Sequence, residues 1–451
     1  MSVLNEIVKA YDIRGTVPDQ LDGEVAHALG VAYARFVDTD RVLIARDMRQ
    51  SGVELVHEFA RGVMEQGVDV VDLGLGSTDM LYYAAGSLDA PGAMFTASHN
   101  PAQYNGVKLC LSGARPVGIE SGLAEIRDWA IDVLEGRPPR QAATAGTISS
   151  FDVLPAFVEH VLSFVDIGAL RPMRIVADTA NGMGGLVVPA VFERLPMIDL
   201  EIMYGELDGT FPNHPADPLQ PANQRDLCAR VSSGGFDLGL AFDGDADRVF
   251  VVDEQGVGLS GSTTTALLAA AVLRTNLGAT ILHNLICSRS VPETIIEHGG
   301  VPIRTMVGHS YIKQEMAVTG AVFGGEHSAH YYFADNYRAD SGLIASMLVI
   351  GEISRVGQDL SVLRKPFERY AASGEINTKV DDPAAIIDHV SEAFASRSQD
   401  RLDGLSVDCG SWWFNLRPSN TEPLLRLNLE ASDRDECDSR VAEILALVTS
   451  A

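Results

Sequence analysis

The sequence is poor in cysteine, in positive charge and in long apolar runs. Its five cysteines form no CxxC pair among 451 residues, which argues against a zinc site or a disulfide framework and fits a reducing compartment. Basic residues number 34 against 61 acidic ones, and the net charge of −27 makes nucleic acid and anionic membranes poor partners. No apolar run approaches the ~20 residues that span a bilayer, and the N-terminus lacks a signal-peptide pattern. We expect a cytoplasmic protein, either a monomer or a weak homodimer.

Apolar runs typical of strands alternate with amphipathic helical segments over most of the chain. This alternation predicts βαβ units, with largely parallel sheets covered by helices on both faces. Residues 136–146, rich in Pro and small side chains, form the best linker, and the prolines of residues 211–218 predict an irregular loop. After Pro366, strands paired by turns with helices on one side predict an α+β domain. The predicted domains are residues 1–140, 148–252, 253–366 and 367–451.

One polar segment, residues 96–101, follows an apolar run, Gly92–Phe95, that predicts a short buried strand. Its terminal proline stops a helix and favours an extended loop. Such a loop displays a hydroxyl, an imidazole and a carboxamide, from Ser98, His99 and Asn100. Ser98 is therefore a candidate nucleophile, although on this segment alone an ordinary turn rich in capping residues is an equal alternative.

Three aspartates, Asp243, Asp245 and Asp247, alternate directly after a predicted strand that ends at Phe242. Crowded carboxylates repel one another unless a cation offsets them, and this spacing lets them converge on one hard cation. The spacing mimics a calcium-binding EF-hand, but Arg248 stands where that loop needs Gly, and strands replace its helices. Magnesium fits best, because it takes a few carboxylates together with a phosphate oxygen.

Two polar segments of the third predicted domain, residues 308–313 and 324–330, also follow predicted strands. Ligands bind at this edge of α/β domains. Glu326, Ser328 and His330 alternate along an extended segment, so they can face one ligand, and the first two can hold neighbouring hydroxyls. The alternative is a polar strand end with ordinary surface histidines.

Residues 417–423 join two predicted strands of the last domain. Arg417 offers a forked donor, while Ser419, Asn420 and Thr421 offer hydroxyl, amide and backbone donors in a tight turn. This is the composition of a phosphate cradle. A plain turn is the alternative.

Together these motifs resemble the α-D-phosphohexomutase family, in its phosphomannomutase/phosphoglucomutase branch. The order of the motifs, and residues 10–15 near the start, extend the resemblance over the whole chain. It implies three similar mixed-sheet α/β domains plus a C-terminal α+β domain around a central cleft. It also implies Mg²⁺ as cofactor and hexose 1,6-bisphosphate as activator and intermediate.

The resemblance also implies roles for individual residues. Ser98 would be carried as phosphoserine, and Mg²⁺ would be held by a phosphoserine oxygen with Asp243, Asp245 and Asp247. The sugar O3 and O4 would be held by Glu326 and Ser328. The phosphate remote from the reaction would be gripped by Arg417, Ser419, Asn420 and Thr421. The residues implied to line the cleft are Tyr11, Arg14, His99, Lys108, Arg248, His309 and His330.

The implied activity is the interconversion of hexose 1-phosphate and hexose 6-phosphate, with mannose, glucose or both as the hexose. Lys108 and Arg248 would offset phosphate charge, since phosphoryl transfer depends on charge stabilisation and in-line positioning. Lys108 and His330 are the candidate proton-transfer groups, without an assignment of acid and base. Because Glu326 and Ser328 would not read C2, where glucose and mannose differ, we expect a mutase for both sugars.

Two positions depart from the family pattern. Ala329 stands where many relatives have Gly, which adds one methyl group that should be tolerated. Ile286 stands where many relatives have Lys, which puts one phosphate or hydroxyl contact in doubt unless Arg289 or His283 replaces it.

Three alternatives remain open at this point. The phosphoglucosamine mutase branch typically has Gln where His327 stands and Gly where Asn420 stands, so the sequence disfavours that assignment. A phosphatase could use Ser98 as a transient phosphoryl acceptor if water entered the cleft. A non-catalytic sugar-phosphate sensor is the third alternative.

Overall fold

Four β-sheets divide the chain into successive units. The computed structural model describes residues 2–418 and 424–450. The first unit contains α1 (Leu4–Ile7), β1 (Ile13–Thr16), α2 (Gly23–Val37), β2 (Arg41–Arg46), α3 (Gly52–Glu65), β3 (Asp69–Leu75), α4 (Thr78–Ser87), β4 (Gly92–Phe95), β5 (Tyr104–Leu111), β6 (Arg115–Pro116), α5 (Leu123–Leu134) and β7 (Ile148–Ser150).

The second and third units follow without a long break. The second unit contains α6 (Leu154–Leu162), β8 (Met173–Asp178), α7 (Gly184–Phe192), β9 (Ile198–Met203), α8 (Arg225–Ser232), β10 (Leu238–Phe242) and β11 (Val249–Asp253). The third contains α9 (Gly261–Leu273), β12 (Thr280–Asn284), α10 (Ser290–Glu297), β13 (Val301–Thr305), α11 (His309–Thr319), β14 (Phe323–Gly325), β15 (Tyr331–Phe333), α12 (Gly342–Val356) and α13 (Leu360–Leu363).

The first three sheets repeat one topology. Their shared strand orders are β3-β2-β4-β5, β9-β8-β10-β11 and β13-β12-β14-β15. In each, three parallel strands are followed by one antiparallel strand, because a short loop replaces the helical crossover that a parallel connection needs. The predicted class of three similar mixed-sheet α/β domains is confirmed, whereas the largely parallel pairing holds only for the first three strands of each repeat.

Burial explains the composition of the central strands. All five residues of β10 are buried, since a strand covered by helices on both faces must be apolar throughout. A single apolar core runs through the second and third units and includes residues of α4 from the first unit. The shared core also takes in residues of β2 to β5, and the other buried apolar residues of the first unit form a core of their own. The three units are thus packed against one another with their sheets intact.

The fourth unit is a five-stranded antiparallel sheet with two helices on one face, as the sequence predicts. Its elements are β16 (Ala371–Lys379), α14 (Pro383–Ala393), β17 (Ser398–Asp400), β18 (Leu405–Asp408), β19 (Trp412–Pro418), β20 (Leu424–Ala431) and α15 (Arg434–Ser450). Apolar residues of β19 and β20 meet both helices in one core. The residues of β19 and β20 that alternate with these apolar ones face the third unit. There the backbone N–H of Arg289 donates to Glu430 Oε2 at 2.9 Å.

The connecting segments agree with the predicted irregular regions. Residues 136–146 and 211–218 contain no helix or strand. β7 pairs with β3, so the first sheet extends to residue 150. The domain bounds given above stay predictions, as do the cytoplasmic location and the oligomeric state. Within residues 2–418 and 424–450, no helix is both long enough and apolar enough to cross a bilayer.

An ion pair ties the irregular loop of the second unit to the end of β8. His214 Nε2 lies 3.0 Å from Asp178 Oδ2. Burial alone would lower the pKa of His214, but the Asp178 carboxylate raises it above 6.5. Because the folded-state pKa exceeds the unfolded-state value, the pair adds stability that is fully present below about pH 6.5 and is lost as the pH rises through the folded-state pKa.

We therefore expect His214→Gln to lower the thermal unfolding midpoint most at acidic pH. The difference from the natural protein should shrink as the pH rises from 6 toward 9, measured by scanning calorimetry. The matched control is His57→Gln, since the His57 side chain is 76% exposed. A difference that stays constant with pH would contradict this account of the ion pair.

Candidate active site

Three loops, one from each repeated unit, meet at one place. Residues 96–103 join β4 to β5, residues 243–248 join β10 to β11, and residues 326–330 join β14 to β15. Each loop leaves its sheet at the carboxyl end of a parallel strand, the edge where α/β sheets bind ligands. Arg248 and His330 form an isolated backbone bridge between the second and third loops.

Ser98 lies at the centre of this meeting point. Its backbone is left-handed, with φ of 50°, and the residue is 3% exposed. Its hydroxyl donates to Asp243 Oδ2 at 2.7 Å and accepts from Arg248 at 3.2 Å. The structure therefore brings the predicted nucleophile of the first unit against the aspartate loop of the second.

The three aspartates form one buried cluster, with a ligand oxygen from each lying within 4.8 Å of the others. Lys108 Nζ donates to Asp245 Oδ2 and to Asp247 Oδ2, both at 2.7 Å. Burial, opposed by Arg248, raises the pKa of Asp243 to about 6, and burial with the Asp245 charge raises that of Asp247 to about 7. Burial would also raise the pKa of Asp245, but the Lys108 ammonium lowers it below its usual range.

The donor set of this cluster fits a hard divalent cation. Asp245 Oδ1 and Asp247 Oδ1 are buried and accept no hydrogen bond from the described residues. Bare carboxylate oxygens are costly to bury without a positive partner, and they are the ligands that Mg²⁺ prefers. Thr78 Oγ1 orients Asp245 from outside the cluster, by donating to its Oδ2 at 2.6 Å.

Two more predicted residues contact the serine loop. The Arg14 guanidinium donates to Asn100 Oδ1 at 2.6 Å. His99 Nδ1 accepts from Arg248 at 2.6 Å. Burial and the Arg248 charge lower the pKa of His99 well below 6.5, so this ring is neutral at pH 7.

Glu326 is held firmly by its own unit. Its carboxylate accepts from the backbone N–H of Gly308 at 3.1 Å, from Asn284 Nδ2 at 3.2 Å and from the Tyr332 hydroxyl at 2.7 Å. The residue is 1% exposed, and burial raises its pKa. A carboxylate has about four acceptor positions, so three protein donors leave room for one more.

His330 lies between the rest of its own loop, residues 326–330, and the aspartate cluster. Its Nδ1 lies 2.9 Å from Ser328 Oγ. Its Nε2 lies 3.8 Å from Asp247 Oδ1 and 3.9 Å from Asp340 Oδ2, beyond hydrogen-bond length. Burial lowers the pKa of His330 to about 4, while Asp340 is itself paired with Lys313 at 2.8 Å.

Tyr11 and His309 join the first unit to the third beside these loops. The Tyr11 ring meets the His309 ring edge-on, with centroids 5.4 Å apart, and its hydroxyl donates to the Val307 carbonyl at 3.4 Å. Both ring nitrogens of His309 are buried, and neither has a hydrogen-bond partner in the described part of the chain. Burial lowers the pKa of His309 well below 6.5.

Arg417 lies on the face of the fourth sheet that meets the third unit. Its guanidinium pairs with Glu375 at 3.0 Å, and its Nε has no hydrogen-bond partner among residues 2–418 and 424–450. Burial lowers the pKa of His327, with Glu375 opposing and Arg417 adding to the effect, so these charges lie near the sugar loop. The predicted phosphate ligands Ser419, Asn420 and Thr421 lie outside the described residues.

The structure shows the surroundings of both positions that depart from the family pattern. Ala329 has a left-handed backbone, with φ of 64°, which Gly adopts at no steric cost. Arg289 pairs with Asp408 at 2.7 Å and donates to the Gly410 carbonyl at 2.6 Å, so it is engaged by the fourth unit and is not free to replace a Lys at Ile286. His283 is buried, and its Nδ1 bonds a neighbouring carbonyl instead.

Comparison with known proteins identifies the family to which the chain belongs. Sequence models of phosphoglucomutase/phosphomannomutase alpha/beta/alpha domains I, II and III match residues 5–129, 155–256 and 260–370, and that of the C-terminal domain matches 375–447. The chain belongs to the phosphoglucomutase/phosphomannomutase family.

Relatives of known name match over nearly the whole length. The chain is 37% identical to a phosphomannomutase of Salmonella montevideo and 39% identical to a Xanthomonas campestris protein named phosphohexose mutases, with 98% of each chain covered. The crystal structure of a phosphoglucomutase/phosphomannomutase family protein from Burkholderia thailandensis is 30% identical, with a TM-score of 0.86 over 98% of this chain and 96% of that one.

Sequence reasoning missed several residues that support this phosphoglucomutase/phosphomannomutase site. Arg49, Thr78 and Asn284 sit at or just after the ends of β2, β3 and β12, so the edge rule applied to every strand would have found them. Tyr332 and Asp340 carry no such signal, because their roles depend on the fold of the third unit. The missed residues that contact the predicted site are Arg49, Thr78, Asn284, Tyr332 and Asp340.

We expect Asp245→Asn to weaken Mg²⁺ binding by about tenfold or more, because a charged ligand is lost from the cluster. The measurement is calorimetric titration of the EDTA-stripped protein with Mg²⁺. Asp253→Asn is the matched control, since Asp253 is an equally buried aspartate that pairs with Arg364 instead. Equal Mg²⁺ affinity in the two variants would show that this cluster does not hold the cation.

Proposed function

We propose that the protein is a phosphohexomutase that interconverts hexose 1-phosphate and hexose 6-phosphate, through phosphoserine at Ser98 and a bound hexose 1,6-bisphosphate. Family membership makes it an intramolecular phosphotransferase of the isomerase class. The observation that carries the proposal is the 2.7 Å contact between Ser98 Oγ and Asp243 Oδ2, inside a buried cluster of carboxylates and cations. The relatives named phosphomannomutase and phosphohexose mutases support the same substrate class.

The first phosphoryl transfer would use Ser98 as the donor. A sugar hydroxyl oxygen attacks phosphorus, the bond from phosphorus to Ser98 Oγ breaks, and the new bond to the sugar gives the bisphosphate. Arg248, which already contacts Ser98 Oγ at 3.2 Å, would stabilise the departing oxygen. Lys108 would offset phosphate charge from the other side of the aspartate cluster.

The same groups would complete the reaction in reverse order. After the bisphosphate turns over, Ser98 Oγ attacks its other phosphate, and the freed sugar oxygen takes back the proton lost in the first step. The net change is migration of one phosphoryl group along the sugar. Such a turnover requires a distal phosphate site that accepts either end of the sugar, and Arg417 with Ser419, Asn420 and Thr421 would provide it.

We assign the proton transfers to His330. Its Nε2 makes no hydrogen bond to the carboxylates that face it, at 3.8 and 3.9 Å, while Nδ1 is oriented by Ser328. Lys108 Nζ, in contrast, already donates to two carboxylates at 2.7 Å. An oriented ring nitrogen with a free position suits a base that takes a proton and then returns it.

Mg²⁺ would be held by Asp243, Asp245 and Asp247, where, when bound, it supplies Lewis-acid stabilisation of phosphate charge. The sugar would be held by Ser328 and by the remaining acceptor position of Glu326. Neither residue would read C2, so glucose and mannose phosphates are both expected substrates.

The direct test is to incubate the Mg²⁺-loaded protein with a trace of glucose 1,6-bisphosphate and with glucose 1-phosphate, mannose 1-phosphate or glucosamine 1-phosphate. We expect conversion to the 6-phosphates of glucose and mannose, with glucosamine slower. Ser98→Ala should reduce the flux by several orders of magnitude, since it removes the proposed carrier of the phosphoryl group. Release of free phosphate would support a phosphatase instead, and full activity of Ser98→Ala would refute the proposal.

Arg417→Ala tests the distal phosphate site. It should weaken binding of hexose phosphate and bisphosphate by about 1.5–3 kcal/mol, the scale of a hydrogen bond to a charged group. The measurement is the Kd of glucose 1,6-bisphosphate by calorimetry. Arg426→Ala is the control, since Arg426 also faces Glu375, at 3.5 Å, from the neighbouring strand. If both variants bind as the natural protein does, the site lies elsewhere.

A further inference from the structure

Arg49, directly after β2, holds the loop that carries Ser98. It is 1% exposed and donates hydrogen bonds to three backbone carbonyls of this loop, to one at the start of β5 and to one carboxylate. Its acceptors are the carbonyls of Ser98 at 2.9 Å, Asn100 at 2.7 Å, Pro101 at 2.8 Å and Tyr104 at 2.9 Å, and Asp47 Oδ2 at 3.1 Å.

This set of contacts uses the full donor capacity of a guanidinium group. Arginine has five N–H donors in a rigid planar fork, and Arg49 has five acceptors around it. The acceptors on the serine loop span residues 98–104, so one side chain fixes both ends of the loop. The three donors of a lysine radiate from a single nitrogen and cannot reach the same set.

The loop needs such a support because Ser98 is held in an unfavourable conformation. A left-handed backbone is sterically unfavourable for an L-residue, and Ser98 has φ of 50°. The second unit also packs closely against Ser98, since a Cβ atom on Gly244 would lie 2.4 Å from the Ser98 carbonyl oxygen. Arg49 binds that carbonyl oxygen, while Asp243 and Arg248 bind the Ser98 hydroxyl.

We propose that Arg49 is a positioning residue for phosphoryl transfer, which keeps Ser98 Oγ in line with the sugar hydroxyl by fixing the backbone of the serine loop. The inference rests on the proposed function, in which Ser98 carries the phosphoryl group. Arg49 would act through the loop and not on the substrate. Its loss should therefore lower kcat and leave KM for the hexose phosphate unchanged.

The test is Arg49→Lys in the full-length, Mg²⁺-loaded protein, because lysine keeps the charge and loses the fork. Misplacement of a reacting group by about 1 Å costs on the order of 100-fold in rate, so we expect kcat to fall about 100-fold at unchanged KM. Intact-mass spectrometry after incubation with glucose 1,6-bisphosphate should also show a lower fraction of phosphorylated Ser98.

Arg364→Lys is the matched control. Arg364 is also largely buried and also binds both carbonyls and carboxylates, but none of them belongs to the serine loop. Its acceptors are Asp253, Glu368 and the carbonyls of Val257 and Gly258. We expect this variant to lose thermal stability as Arg49→Lys does and to keep the kcat and the Ser98 phosphorylation of the natural protein.

Wild-type kcat in a folded Arg49→Lys would overturn the inference, and so would an equal fall of kcat in both lysine variants. If Arg49→Lys does not fold, Asp47→Asn replaces it, since it keeps the guanidinium and weakens its anchor at Asp47. That variant should show a smaller fall in kcat at unchanged KM, and wild-type kcat in it would refute the proposal.

The two hypotheses fail in different ways. A fully active Ser98→Ala would refute the proposed function, whatever the activity of Arg49→Lys. An inactive Ser98→Ala together with a normal Arg49→Lys would remove only the role of Arg49.

Discussion

The site depends on three buried carboxylates held close together by two cations, one of which comes from another unit. Asp243, Asp245 and Asp247 would bind protons or separate if nothing offset their mutual repulsion. Lys108, on β5 of the first unit, contacts two of them at 2.7 Å, while Arg248 pairs with the third. The ion pairs that balance the charge of the cluster therefore also help to join the first unit to the second, where Ser98 lies beside the aspartates.

Each site loop contains a residue with a left-handed backbone. Ser98, Ala246 and Ala329 have φ of 50°, 61° and 64°, and all three are buried. None is glycine, so each conformation costs energy that the surrounding contacts must offset. Strain of this kind concentrates where a side chain has to be aimed, and here it recurs at equivalent connections of three sheets.

Pattern and spacing predicted a large part of this architecture. Strands such as β10 are continuous apolar runs, and the alternate aspartates after it are a signal readable from the sequence alone. The sequence pattern does not predict strand β5, because Asn105 followed by Gly106 is typical of a turn. That strand nevertheless carries Lys108 into the site. The partners of Lys108, Arg49 and Glu326 depend on which units pack together, and no local pattern encodes that information.

The repeated topology also sets a lower limit on how small the active protein can be. The connection from the third to the fourth strand reaches the same edge in each of three sheets, yet one copy bears Ser98, another the three aspartates and the last His330. Any excised unit could keep its own sheet but would hold only one part of the site. Under the proposed function all three units are needed, so truncation at any boundary among these sheets should abolish the reaction.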